Sequence, residues 1–355
     1  MHKLPFLGRR NTAGGLKLAV FFFCLFIITG CPANADGSDS AIYPFVVNGQ
    51  LYTFSPQAIP AISHYDFKQN ADKFTQKGVS ASKKQGFILA WNSKTKNLYH
   101  INANQKVVSS VNLNSSLVYV GQQYVLAQNS SFSDNKGFSF TLYKIKYAKS
   151  NRKIALTQVW TGFADCFVSD NFFTDDGVCI CGGTRDNTKH NVFYITKKGI
   201  HKCFTATKNS DFMRIINCGE KIYGFMSGRE KTAVEPVIYK FALDNYMEET
   251  DSQAQISLKN DTNLPQDYEC FFGYGFATNG IVLPASINGQ ISFIVYDPAA
   301  NKISTVAADA VGCTVPLVQS EEGFYYIARD PTIADSWYGI ALFDGNSCKK
   351  IEKIQ

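Results

Sequence analysis

This sequence is poor in methionine and histidine, with 4 and 5 respectively, and no acidic residue occurs among its first thirty positions. So few histidines, at no regular spacing, exclude the usual zinc patterns. Beyond residue 30 no apolar stretch reaches the ~20 residues that a bilayer-crossing helix needs. No long run carries helical periodicity, which excludes a helical bundle. There is no Gly-x-Ser-x-Gly elbow. The segment Cys181-Gly182-Gly183-Thr184 lacks the lysine and the following helix of a phosphate-cradling loop. Charge is scarce too: the net +6 falls to about +2 once the four cations of the first thirty residues are removed. A nearly neutral surface gives no electrostatic case for nucleic acid.

What is present begins at the N-terminus. Lys3, Arg9, Arg10 and Lys17 precede an 11-residue apolar run from Leu18 to Ile28. That length fits a secretory segment and is too short for a membrane span. Ile28-Thr29-Gly30-Cys31 follows, and it resembles the lipobox of bacterial lipoproteins. The resemblance implies cleavage before Cys31, with residues 1–30 as signal peptide, and acylation of Cys31 by chains such as palmitate. Two or three chains anchor stably where one is marginal. It further implies a place in the bacterial cell envelope, on the outer membrane, the inner membrane or the cell surface. The alternative is an ordinary signal peptide with a chance cysteine. The small, polar residues 31–42 read as a flexible tether.

From residue 43 to 355 the composition is that of an all-β protein. The whole sequence has 28 Phe and 18 Tyr, all but five of the Phe beyond residue 43, and the apolar stretches there are short and bounded by Gly, Asn, Asp and Lys. Aromatic and β-branched side chains suit a pleated, half-buried surface.

An apolar–aromatic strand recurs at Leu51–Phe54, Leu98–Ile101, Leu142–Ile145, Val192–Ile195, Ile238–Phe241, Ile294–Tyr296 and Ala341–Phe343. Successive copies lie 44 to 56 residues apart. A second marker precedes it, a strand opening after Gly86, Gly177, Gly280 or Gly323, with relatives at Gln123 and Lys221. Basic strand starts follow at Lys153, Lys302 and Lys349. Units of this length with about four short strands predict the blades of a β-propeller. Seven aromatic strands give seven blades, the first sharing a sheet with the C-terminal strand 348–354. Six blades with an N-terminal closing strand is the alternative, and a pair of β-sandwiches the non-propeller one. The chain resembles propeller-bearing bacterial lipoproteins as a class. It matches no named propeller family motif by motif.

Eight cysteines remain after Cys24 and Cys31, all beyond residue 165. Cys166, Cys270 and Cys313 precede their following glycines by 10 or 11 residues, and so are expected at one position in three blades. With Asp165 and Glu269 they are candidate channel-lining residues at the start of innermost strands. Thiolates there can hold a soft metal. More simply, cysteine is a small core residue that a repeat copies. Cys179 and Cys181 share one strand face; disulfides to Cys203 or Cys218, or simple burial, account for them. Asp170, Asp175 and Asp176 can gather to bind calcium, although Asp175-Asp176-Gly177 is the composition of a β-turn. Trp337, in the loop 330–337, is a candidate partner contact. Trp91 and Trp160 are expected to pack between blades.

These features imply no cofactor and no catalytic motif. They describe an envelope lipoprotein whose propeller is a binding scaffold for a protein or glycan, held on a membrane through Cys31. The alternative is a periplasmic or surface hydrolase or lyase with carboxylates or a metal at the channel mouth, for which Asp165, Glu269 and Asp330 are the candidates. A carrier of small ligands such as sugars is a third reading.

Overall fold

The computed structural model describes residues 74–82, 87–102, 104, 106–133, 136–148, 153–207, 212–218, 221–227, 237–248, 256–257, 268–270, 276–277, 280–287, 290–307, 315–320, 323–329 and 338–353. The chain falls into two units, residues 1–38 and 39–355, and every strand below belongs to the second. All regular structure among the described residues is β-strand. None of them forms a helix long and apolar enough to cross a membrane.

The strands build six successive sheets, each an antiparallel meander in chain order. The first holds β1 (Phe74–Ser82), β2 (Phe87–Asn92), β3 (Asn97–Asn102) and β4 (Val107–Asn112). The second holds β5 (Leu117–Val120), β6 (Tyr124–Ser133), β7 (Gly137–Tyr147) and β8 (Ile154–Ala164). The third holds β9 (Phe167–Phe173), β10 (Gly177–Gly183), β11 (Lys189–Thr196) and β12 (Gly199–Thr207). The fourth has β13 (Phe212–Cys218), β14 (Lys221–Ser227), β15 (Val237–Phe241) and, after β16 (Met247–Glu248), β17 (Ile256–Ser257). The short β16 leaves this sheet and pairs parallel with β12, covering the outer edge of the third sheet. In the fifth sheet the first strand is split into β18 (Tyr268–Cys270) and β19 (Phe276–Ala277), both on β20 (Ile281–Ile287), followed by β21 (Gln290–Asp297) and β22 (Lys302–Ala307). The sixth holds β23 (Val315–Ser320), β24 (Gly323–Arg329), β25 (Tyr338–Phe343) and β26 (Cys348–Lys353).

The sequence repeat maps onto this order. Six of the seven aromatic strands are the third strand of a sheet, in β3, β7, β11, β15, β21 and β25. The glycine-marked strands are the second strands, and the basic starts at Lys153, Lys302 and Lys349 lead into the fourth. The copy at 51–54 lies outside the described residues. The glycines have a steric reason. A Cβ on Gly177, Gly280 or Gly323 would collide with the carbonyl of Ile195, Tyr296 or Phe343, each near the end of the neighbouring third strand. Asx turns shape three of the hairpins: Asn92 Oδ1 accepts from Lys94 and Thr95, Asp297 Oδ1 from Ala299 and Ala300, and Asp344 Oδ1 from Asn346 and Ser347. A side-chain oxygen thus replaces a backbone acceptor and fixes the turn.

Each sheet seals against the next. Leu89, Trp91 and Leu98 of the first meet Val118, Val125 and Ile145 of the second. Tyr119, Leu126 and Phe140 of the second meet Val178, Ile180 and Ile195 of the third. Cys179, Cys181 and Phe204 of the third meet Ile215, Ile222 and Tyr239 of the fourth. Ile216 and Ile238 of the fourth meet Leu283 and Ile294 of the fifth. Val282 and Phe293 of the fifth meet Tyr326 and Phe343 of the sixth. First strands of neighbouring sheets lie side by side, β1 with β5 and β9 with β13. Four-stranded meanders packed face to face with their first strands adjacent are the construction of propeller blades. Trp91 is fully buried in the first of these layers, and Trp160 packs against the second, as expected.

The two end sheets are also buried on their outward faces. In β2 and β3, Ile88, Ala90 and Ile101 alternate with the inward-facing Leu89, Trp91 and Leu98, yet are 0–2% exposed. In β25, Ile340 and Leu342 alternate with Ala341 and Phe343 and are 1% and 5% exposed.

The disulfide reading of Cys179 and Cys181 gives way to burial. Both face the fourth sheet together with Cys203, but β11 stands between β10 and β12. Two strand spacings put the residues of β10 and β12 roughly 10 Å apart, beyond the reach of an S–S bond. Cys179 and Cys203 are free thiols. Burial pushes both upward, Cys203 from 9.0 to about 12. The side chain of Cys218 lies outside the described residues.

Candidate functional site

The turns joining first to second strands gather at one end of the sheets. There the β5–β6 turn (Val120, Gly121, Gln122, Gln123), the β9–β10 turn (Phe173, Thr174, Asp175) and Asn217 near the end of β13 line an open cleft of about 580 Å³. Three adjoining sheets therefore contribute to it. The turns are short because each closes on its own backbone: Gly121 N donates to Tyr124 O and Thr174 N to Gly177 O, both at 2.9 Å. Thr174 Oγ1 also accepts from Gly177 N at 3.1 Å and lies 2.9 Å from the Tyr194 hydroxyl. The Tyr147 hydroxyl donates to Gln122 O at 2.9 Å. Across the sheets, Gln123 Nε2 donates to Asp175 Oδ1 at 3.0 Å, and the Phe173 ring presses on Gly121, leaving no room for a Cβ there.

The electrostatics are mild. Asp175 is the one charged residue among the described residues of the lining, and Asp176 stands next to it on the turn. The Tyr124 phenol is raised above its usual value, first by burial and then by Asp176 and Asp175. It stays neutral and can donate a hydrogen bond across the physiological range.

The residues expected to carry chemistry are spread out. Asp165 and Cys166 precede β9, at the far end of the strand from Asp175; seven residues separate the two ends by roughly 20 Å. Asp165 is taken up by the frame: its Oδ1 accepts from Arg185 N and its carbonyl from Asn191 Nδ2, both at 3.0 Å, while Asn191 Oδ1 accepts from Thr205 Oγ1 at 2.9 Å. Cys166 is fully buried in the layer between the second and third sheets. Cys270 and Glu269 lie in β18, with Cys270 paired to Ala285, five residues past Gly280. The last β9–β10 pair, Phe167 with Gly183, is already six past Gly177, and Cys166 lies beyond it. The near-equal spacings of 11 and 10 residues therefore do not give Cys166 and Cys270 equal ladder positions, and the register shift between Cys181 and Gly182 is one cause. Cys31, Cys313, Asp330 and Trp337 lie outside the described residues.

The calcium grouping does not form. Asp175 and Asp176 occupy the turn, but Asp170 lies mid-strand opposite Cys181, where its Oδ2 accepts from Ile215 N of the fourth sheet at 3.3 Å. Among the described residues no three His, Cys, Asp or Glu side chains gather as a metal site. His100 and His190 are buried within sheets, and His100 meets the Tyr147 ring edge-on.

The cleft itself had no motif. Gln122, Gln123 and Asn217 are ordinary residues separated by nearly a hundred positions. The available signal was that Gln123 stands just ahead of a second strand, in the slot filled elsewhere by the marker glycine.

No family model and no curated protein sequence matches the chain. Among solved structures, it is similar to the β-propeller domain of the Trilobed protease from Pyrococcus furiosus, at 12% identity and a TM-score of 0.47, covering 77% of this chain and 81% of that one. It is similar to Kuenenia stuttgartiensis hydrazine synthase at 10% identity and 0.46, covering 76% and 77%. It is similar to Pyrococcus horikoshii acylaminoacyl peptidase at 14% identity and 0.47, covering 78% of this chain and 45% of that one.

Proposed function

We propose that this chain is a bacterial envelope lipoprotein, tethered through acylated Cys31, whose blades, six of them among the described residues, close into a ring that serves as a binding scaffold. The observation that carries the ring is the burial of both end sheets on their outward faces. Ile88, Ala90 and Ile101 at one end and Ile340 and Leu342 at the other are as shielded as the five inner layers. Bringing the sixth sheet against the first covers both faces at once and leaves only short edges. The tether rests on the apolar run and on Ile28-Thr29-Gly30-Cys31. In a ring of this kind recognition belongs to the loops at the two ends, because the sheets themselves are buried against each other.

Two measurements test the reading separately. Mass spectrometry of the mature N-terminal peptide is expected to find acyl chains on Cys31, and Cys31→Ala is expected to release the protein from the membrane fraction. An unmodified Cys31 removes the tether. Small-angle scattering of the mature protein is expected to give a radius of gyration near ~20 Å, the value for a compact domain of its size. A clearly larger value, as an open row of sheets requires, removes the ring. Crosslinking in intact cells then identifies what the scaffold holds.

A further inference from the structure

We propose that the cleft between the β5–β6 and β9–β10 turns and Asn217 is a binding site for a neutral glycan chain. This deepens the scaffold reading but depends on neither the acyl anchor nor the blade count, since three adjoining sheets form the cleft.

The lining selects the ligand class. Gln122, Gln123 and Asn217 carry amides, which both donate and accept hydrogen bonds. Sugar hydroxyls also do both, so neighbouring hydroxyls on a ring match an amide's N–H and C=O together. Among the described residues no Lys, Arg or His lines the cleft, so they offer an anion no counter-charge. The one carboxylate among the described lining residues, Asp175, already accepts from Gln123 Nε2 at 3.0 Å, which is a poor basis for a cation site but fixes both side chains. A peptide needs apolar pockets for its side chains. Among the described residues the apolar lining is limited to Val120 and Phe173, and Phe173 is committed to its contact with Gly121.

The site is preorganised, which lowers the entropic cost of binding. The Gln122 carbonyl is held by the Tyr147 hydroxyl at 2.9 Å, the Gln123 carbonyl accepts from Ile145 N at 2.8 Å, and the Thr174 turn is closed by Gly177. At about 580 Å³ the cleft falls within the ~300–1,000 Å³ of small-molecule sites. Its openness along the sheet ends suits part of a longer chain.

The test is saturation-transfer NMR on the full mature protein in detergent micelles, with chitotriose, maltotriose and mannotriose as probes and tri-alanine as the peptide competitor. At least one trisaccharide is expected to receive saturation. The double variant Gln123→Ala/Asn217→Ala is expected to weaken that sugar at least ~10-fold with an unchanged thermal midpoint, since two hydrogen-bonding side chains are removed. Asp175→Asn, which keeps the shape, guards against a fold defect and is expected to weaken it a few-fold. Arg185→Ala, at the opposite end of the third sheet, is expected to bind like the parent. Saturation of none of the three sugars, binding of tri-alanine instead, or an unaffected double variant overturns the site. Acylated Cys31 in the same sample shows that such a failure belongs to the cleft and not to the tether.

Discussion

The third sheet uses its two faces differently. Along β10, Val178 and Ile180 point to the second sheet while Cys179 and Cys181 point to the fourth. The first junction is built from large side chains: Tyr119, Leu126, Phe140 and Ile195. In the second the third sheet contributes three thiols beside Val192 and Phe204, whose ring stacks on Phe241 at 5.3 Å, and the fourth sheet contributes Ile215, Ile222 and Tyr239. Both faces are dry, so the strand reads as an unbroken apolar run and not as an alternation. The energy is nevertheless distributed unequally, because a thiol removes less apolar area from water than an isoleucine or a phenylalanine.

The sharpest way to break this comparison is to truncate one side chain on each face. Phe140→Ala is expected to cost ~3–5 kcal/mol and Ile180→Ala ~2–5 kcal/mol, from lost burial plus the cavity left behind. Cys179→Ala, which removes one sulfur, is expected to cost about 1 kcal/mol. Urea denaturation monitored by fluorescence measures all three. Equal losses at positions 179 and 180 would mean that the thiol face carries as much of the packing as the aliphatic one.

A second test concerns the glycines of the same strand. Gly177 faces the Ile195 carbonyl with no space for a Cβ, whereas a Cβ on Gly183 meets nothing closer than 3.8 Å. Gly177→Ala is expected to cost ~1–3 kcal/mol as overpacking. Gly183→Ala is expected to stay within ~0.5 kcal/mol of the parent. The same denaturation curves decide it, and similar midpoints for the two variants would remove the steric account of the repeat.

That account also explains what the sequence made legible. The marker glycines recur where a carbonyl lies close to the start of the second strand, as in the third, fifth and sixth sheets, and the aromatic third strands recur because each is largely buried between its neighbours. Constraints that repeat leave a period. The cleft does not repeat, since Gln123 and Asp175 come from two different turns and Asn217 from the end of a strand, so each sheet supplies something different. The fates of Asp165 and the cysteines were hidden for another reason. A one-residue bulge reverses which face a side chain takes, and spacing counted along the chain does not register bulges such as the shift between Cys181 and Gly182.

The last test separates the two junctions by pH. A buried thiol prefers its neutral form, so the Cys203 value rises from 9.0 to about 12 in the fold. Between those values the unfolded chain has lost the proton and the folded chain keeps it. The folded state then binds more protons, and stability falls as pH rises. The contribution is intact below pH 9, shrinks by about 1.4 kcal/mol per pH unit above it, and stops changing above the folded value. Cys179 is shifted in the same direction, first by burial and then by Cys203 and its other neighbours. Truncating Cys203 to alanine is therefore expected to flatten the alkaline limb of the stability profile between pH 9 and 10.5 by roughly one thiol's share. Ile180→Ala is expected to lower the whole profile and leave that slope unchanged. An identical alkaline slope in the Cys203→Ala protein would show that the thiol at the third–fourth junction is not buried in its neutral form.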